Sequence, residues 1–146
     1  MNSIKIHSIP GQSWNDSFLL NIDVIDNQHK KFFELFDLIL ALNKSKDAVK
    51  LSSVINELHD YAQYHFETEE TLMQNADSEN FELHIIQHQF FINKINEFTI
   101  AQNYNNPVLT TQIIVFMRKW LLMHITETDK KYVESVQSFL LKNESN

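Results

Sequence analysis

The sequence predicts an all-α fold: an antiparallel up-down-up-down four-helix bundle with an N-terminal arm and a short C-terminal helix. Three observations carry this. Helix breakers are scarce, with Gly11, Pro10 and Pro107 the only glycine and prolines in 146 residues, so nothing interrupts Asn27 to Asn106. Apolar side chains recur at steps of three and four along four long segments, which is the period of a helix with one buried face. The segments between them are short and polar, which places consecutive helices side by side and antiparallel. A chain of this length forms one domain with a sizeable core.

Residues 1–26 read as an irregular arm, with Pro10-Gly11 as a turn and Trp14, Phe18, Leu19 and Leu20 as buried anchors. From Asp26, read as an N-cap, a first helix over about 27–43 carries Ile25, His29, Phe32, Phe36 and Ile39 on one stripe, and "NKSKD" ends it. The second, about 48–75, aligns Leu51, Leu58, Ala62, His65, Glu69 and Met73. After "NADSEN" the third, about 80–102, alternates steps of three and four through Phe81, His84, His88, Phe91, Ile95 and Phe98. Pro107 suits the first turn of the fourth, about 107–126, whose stripe runs through Ile113, Met117, Trp120, Leu121 and His124. A short amphipathic helix over about 129–141 packs on the bundle, and the last residues fray.

Charge and composition narrow the function. A net charge of −7 without a basic stripe argues against nucleic acid and against an anionic membrane surface, since both draw their affinity from clustered Lys and Arg. No cysteine is present, so there is no disulfide framework or thiolate site, and any metal must be held by His, Asp and Glu. "MNSIKIHSIPGQSW" lacks the pattern of an export signal and no apolar run approaches a membrane span. A soluble, cytoplasmic protein is expected.

The histidines carry the chemistry. A single histidine on a buried stripe is more often a satisfied core residue than a ligand. Here five of seven, His29, His65, His84, His88 and His124, fall on inward stripes of four helices. Counted from the turns at a rise of about 1.5 Å per residue, the four helices deliver imidazole to levels that agree within about one helical turn. His84 and His88 are spaced i, i+4, as are His65 and Glu69, so each pair shares a helix face. A carboxylate at the bundle centre must be paired or bind a metal. His7 and His59 lie off these stripes and read as surface residues. The zinc-protease pattern H-E-x-x-H is absent, and the residues three before His65, His84, His88 and His124 are Ala62, Phe81, Ile85 and Leu121, so the Glu-x-x-His pairs of ferritin-like di-iron bundles are absent as well.

"IDNQHKKFFEL", "HFETEETLM", "HIIQHQFF" and "WLLMHITETDKKY" resemble, in order and internal spacing, the four helix motifs of the hemerythrin family, over about Trp14 to Tyr132. The linker "NADSENFELH" departs from it in lacking the Tyr-Pro often found before the third motif. The resemblance implies two Fe ions per chain, one held by His84, His88 and His124, the other by His29 and His65, with Glu69, Asp129 and an oxo or hydroxo group bridging. Two octahedral ions offer about twelve positions, of which these groups fill about eleven. The remaining position, on the ion with two histidines, is where O2 is expected.

The resemblance also places Phe66, Trp120, Leu121 and Ile125 around that position as an apolar pocket, although residues of these types at helical spacing are as often plain core. Nothing beside them resembles a substrate-orienting acid or base. The expected function is therefore reversible O2 binding for storage, delivery or sensing, not enzymatic; the alternative is a di-iron oxidase, peroxidase or NO-handling enzyme on the same site. Asp23 and Glu70 read as solvated or capping charges, and Met73 and Tyr132 as packing. One spacing is awkward. His124 and Asp129 are five apart, which a regular helix would turn about 140° from each other, and β-branched Ile125, Thr126 and Thr128 make a poor continuing helix. The helix is expected to end or distort between them.

Overall fold

The computed structural model describes residues 13–103 and 107–144. Pro10-Gly11, His7, most of the "NYNNP" link and the last two residues lie outside them. Among the described residues the chain is helical throughout: a 3-10 turn at Asp16–Phe18, then α1 (Asp23–Ser45), α2 (Ala48–Asn75), α3 (Phe81–Gln102) and α4 (Leu109–Met123). A π-helical turn, His124–Thr128, and a 3-10 turn, Asp129–Tyr132, lead into α5 (Val133–Glu144). Helices adjacent in sequence pack side by side, and α4 closes the ring against α1.

The apolar stripes explain this arrangement. Phe32 and Ile39 of α1, Leu58 of α2, Ile95 of α3 and Ile113 of α4 meet in one core, each at most 1 % exposed. Burying a side chain of this kind contributes about 1.5–3 kcal/mol. A second, smaller cluster of Leu20, Ile22, Ile25, Met73, Tyr132 and Val136 seals the end of the bundle where the arm and α5 lie. Every histidine of the predicted set sits on its helix between members of these two clusters: His29 lies between Ile25 and Phe32, for example, and His65 between Leu58 and Met73. The polar layer is thus enclosed by apolar packing from both ends.

Several local features depart from the sequence expectation. The first helix starts at Asp23, and Asp26 is no N-cap. It is buried within the first turn, where Oδ1 accepts the Leu20 N–H at 2.7 Å and Oδ2 the Ile22 N–H at 3.2 Å. The reason is that the arm's buried N–H groups need acceptors. Leu19 is 37 % exposed, whereas Leu20 is buried and Trp14 and Phe18 pack against the core. Pro107 precedes the N-cap Val108, outside the first turn of α4. The α2–α3 turn manages without Tyr-Pro by placing Asp77 (φ 53°) and Asn80 (φ 63°) in the left-handed region, which short polar side chains tolerate. Asp47 caps α2 by accepting the Lys50 N–H at 3.1 Å.

Candidate metal centre

Each helix contributes one or two side chains to a single buried cluster. From α1 comes His29, from α2 His65 and Glu69 one turn apart, from α3 His84 and His88 one turn apart, and from the segment after α4 His124 and Asp129. Glu69 and Asp129 are both 0 % exposed and the five imidazoles at most 3 %. All seven predicted ligands are brought together. Their Nε2 atoms converge: those of His84 and His88 lie 3.2 and 3.3 Å from that of His124.

The two carboxylates divide the cluster in the same sense. Oε2 of Glu69 faces His29 and His65, at 3.7 and 3.4 Å from their Nε2 atoms. Its Oε1 faces the other three, at 3.1 Å from His84, 2.8 Å from His88 and 3.6 Å from His124. Asp129 repeats this, with Oδ2 at 3.2 Å from His29 and Oδ1 at 3.0 Å from both His84 and His124. Two adjoining groups result, one of two imidazoles and one of three, and each carboxylate places one oxygen in each group.

Regular helix would not deliver Asp129 here. The α-helix ends at Met123, and the Asp129 N–H reaches back five residues to the His124 carbonyl. At roughly 4.4 residues per turn, such a π turn carries the side chain to within about 50° of His124 instead of about 140°. The 3-10 turn that follows is tight, with the Val133 N–H bonded to the Lys130 carbonyl, and it swings Tyr132 beneath the cluster. The Tyr132 hydroxyl donates to Oε2 of Glu69 at 2.8 Å.

A cation fits these groups better than hydrogen bonds do. His29 Nε2 and both Asp129 oxygens are buried without an aligned hydrogen-bond partner, although imidazole and carboxylate stand 3.0–3.2 Å apart. Such orphaned atoms are costly. Donor atoms bound to one octahedral ion at about 2.1 Å are about 3.0 Å from each other when adjacent, which is the separation seen. Burial alone would lower the imidazole pKa values. The carboxylates of Asp129 and Glu69 reverse this at His29 and His84, raising both to about 9, and raise His124 as well. Burial dominates at His65, which is lowered. Against the cost of burial, the surrounding imidazoles hold the carboxyls of Glu69 and Asp129 well below the usual carboxylate range. A cation entering the cluster displaces the imidazole protons, so its affinity falls as pH falls.

Outer partners orient the imidazoles. Nδ1 of His65 donates to Oε1 of Gln28 at 2.6 Å, and Nδ1 of His124 to Oε1 of Gln87 at 2.8 Å. Nδ1 of His88 faces Oε2 of Glu70 at 2.7 Å. With oxygen acceptors outside, Nδ1 keeps its proton, so any proton a cation displaces is the one on Nε2, whose lone pair then faces inward. This corrects the expectation for Glu70, which is no merely solvated charge: the C-terminal part of α2 packs on the N-terminal part of α3 and brings it onto His88. Tyr132, expected to be packing alone, also positions Glu69, and burial beside the two carboxylates raises its phenol well above the usual range, so it stays a donor. Met73 packs in the end cluster and Asp23 is exposed in the first turn of α1, as expected. His59 lies outside the cluster, partly exposed at the surface of α2, with Nδ1 3.2 Å from Oδ1 of the exposed Asp60. Replacing Glu70 with Ala should weaken cation affinity about 10-fold or more, measured by competition with a chelator, while Glu70→Gln, which keeps an acceptor oxygen, should recover part of it. Equal affinity in all three proteins would show that the carboxylate orients nothing.

The four pocket residues are placed less uniformly. Phe66 stacks on His88 with ring centroids 3.9 Å apart and planes 7° apart, and Trp120 on His124 at 4.2 Å and 12°. Leu121 and Ile125 are buried in the main core beside His124.

Fold and site together define an all-helical bundle enclosing a histidine–carboxylate cluster suited to metal ions. The family model "Hemerythrin HHE cation binding domain" matches residues 20–136. The chain is similar to the bacteriohemerythrin of Clostridium acetobutylicum, with 32 % identity over 83 % of this chain and 98 % of that protein. It is similar also to that of Pseudomonas paraeruginosa, with 33 % identity over 90 % of this chain and 88 % of the other. A wild-type hemerythrin crystal structure shares the fold, with TM-score 0.75, 24 % identity, and coverage of 85 % of this chain and 96 % of that one. The chain belongs to the hemerythrin family. No helix among the described residues is long and apolar enough to cross a membrane.

Proposed function

We propose that the chain is a non-haem di-iron protein that binds O2 reversibly, serving oxygen storage, delivery or sensing and not catalysis. One observation carries the reading: Glu69 and Asp129 each direct one oxygen to the two-histidine group and the other to the three-histidine group. That is the arrangement two adjacent cations need. His29 and His65 would hold one iron, His84, His88 and His124 the other, and both carboxylates would bridge. Imidazole mixed with carboxylate suits iron, and when bound the ferrous pair supplies two electrons that O2 takes up and returns.

The chain's own residues account for the rest. Gln28, Gln87 and Glu70 hold three imidazoles in the ligating tautomer. Tyr132 keeps Glu69 from rotating away from its shared position. Phe66 and Trp120 cover two rings of the three-histidine group, and with Leu121 and Ile125 they build apolar walls that exclude water. The two-histidine group, with fewer protein donors, is the side on which O2 would bind.

The test is the absorption spectrum of the reduced, iron-loaded protein before air, after air and after deoxygenation. A visible charge-transfer band that appears and disappears reversibly is expected; irreversible bleaching or sustained O2 consumption would replace the carrier with an oxidase. Elemental analysis should give about two irons per chain. His84→Ala should lower that content, and His59→Ala should leave it unchanged.

A further inference from the structure

We propose that a cavity between α3 and α4, on the outer side of His124, is a second ligand site, and that it takes a small aromatic carboxylate. The cavity measures about 450 Å³, within the range that encloses small organic molecules. Its walls are apolar and largely aromatic, formed by Phe90, Val115, Phe116, Trp120 and Met123. Phe90 is 56 % exposed, Val115 59 % and Met123 53 %. Large apolar side chains gathered at one opening mark a surface that something covers.

Charge selects the occupant. Lys94 and Lys119 line the same cavity and no Asp or Glu does, in a chain where Asp and Glu outnumber Lys and Arg by 19 to 12. Lys94 pairs with the exposed Glu97 at 3.5 Å and lies over the Phe98 ring at 5.6 Å, and no carboxylate stands within ion-pair distance of Lys119 among the described residues. A flat apolar body against Phe90, Phe116 and Trp120 with one carboxylate directed to the lysine-lined rim, Lys119 and Lys94, satisfies both features. A neutral ligand leaves the lysines unused, and a cation is repelled. Trp120 stacks on His124, and Gln87, which also lines the cavity, holds that imidazole's Nδ1. The occupant would therefore touch two supports of His124, and the outer side of His124 itself, which also lines the cavity. The site itself requires no metal.

Isothermal titration of the iron-loaded protein with 1-naphthoate tests this, with 1-naphthalenemethanol as the neutral counterpart. One naphthoate per chain is expected, with Kd on the order of 10–100 μM for a ligand of this size, and the alcohol at least about 10-fold weaker. Lys94→Glu with Lys119→Glu should abolish naphthoate binding, and Val115→Asp, an exposed change that leaves the core intact, should do the same. Lys50→Glu, on α2, should not alter it. Absence of heat at millimolar naphthoate, equal binding of the alcohol, or binding that survives both sets of substitutions would overturn the proposal. So would a dimer in sedimentation that naphthoate cannot disperse and Val115→Asp splits, since the face would then belong to a second copy of the chain.

Discussion

Replacing Glu69 with Ala should reduce iron from about two per chain to below one after anaerobic reconstitution, the largest loss expected from any single ligand. The other ligands except Asp129 serve one group each. Glu69 touches all five imidazoles: its two oxygens lie 2.8–3.7 Å from their Nε2 atoms. On the proposed two-iron arrangement, alanine would remove a donor from each cation and also the negative charge that would offset two divalent ions in a layer closed by apolar packing. His65→Ala, by contrast, should leave the three-histidine group able to hold its ion. The stability readout runs in parallel. A cation at a thousandfold excess over its Kd stabilises the folded state by about 4 kcal/mol, which in a domain of this length is about 10 °C or more in melting temperature. The wild type should show that gain on iron loading, and Glu69→Ala should lose most of it. A variant that keeps two irons and the full gain would rule out the shared-carboxylate arrangement.

What the sequence disclosed and what it withheld have physical reasons. The four stripes and six of the seven cluster residues were legible because each depends on local period: His65 with Glu69 and His84 with His88 are one turn apart whatever surrounds them, whereas Asp129, off the helical period, was named only through the family resemblance. The outer partners were not. Gln28 reaches His65 across 37 residues, Gln87 reaches His124 across another 37, and Glu70 reaches His88 across 18. Each of those contacts depends on the rotation of two helices about their axes, which period does not specify. Glu70 follows Glu69 and so lies about 100° around α2, which reads as a solvated position until α3 is set beside it. Asp26 shows the same limit at an element boundary: it has the residue type of a cap, and the tertiary demand of the arm's N–H groups used it differently. The cavity between α3 and α4 has no local signature at all, since Lys94 and Lys119 line one cavity only when the two helices pair.

The turn between His124 and Asp129 joins both kinds of information, and lengthening it by one residue should be as damaging as removing the acid. An alanine inserted between Thr126 and Glu127 makes the gap six. A regular helix then turns the carboxylate about 240° from the imidazole and a π turn about 130°, so neither brings Asp129 into the cluster. Iron should fall to one per chain or fewer, while far-ultraviolet circular dichroism keeps its helical signal because α1, α2 and α3 are untouched. Deleting Thr126 is the opposite case. The gap becomes four, which an uninterrupted α-helix places within about 40° of His124, and the rotation passed on to Tyr132 stays small because the surplus residue of the wide turn is the one removed. The deletion should therefore retain more iron than the insertion, even though both change the chain by one residue. If the two variants lose iron equally, what matters is the integrity of the segment and not the angle it sets; if the insertion retains two irons, Asp129 is no ligand and the wide turn has another cause. The asymmetry between them follows from the observed bond of the Asp129 N–H to the His124 carbonyl, since a turn widened by one residue can lose that residue and close, but cannot accept another and still face inward.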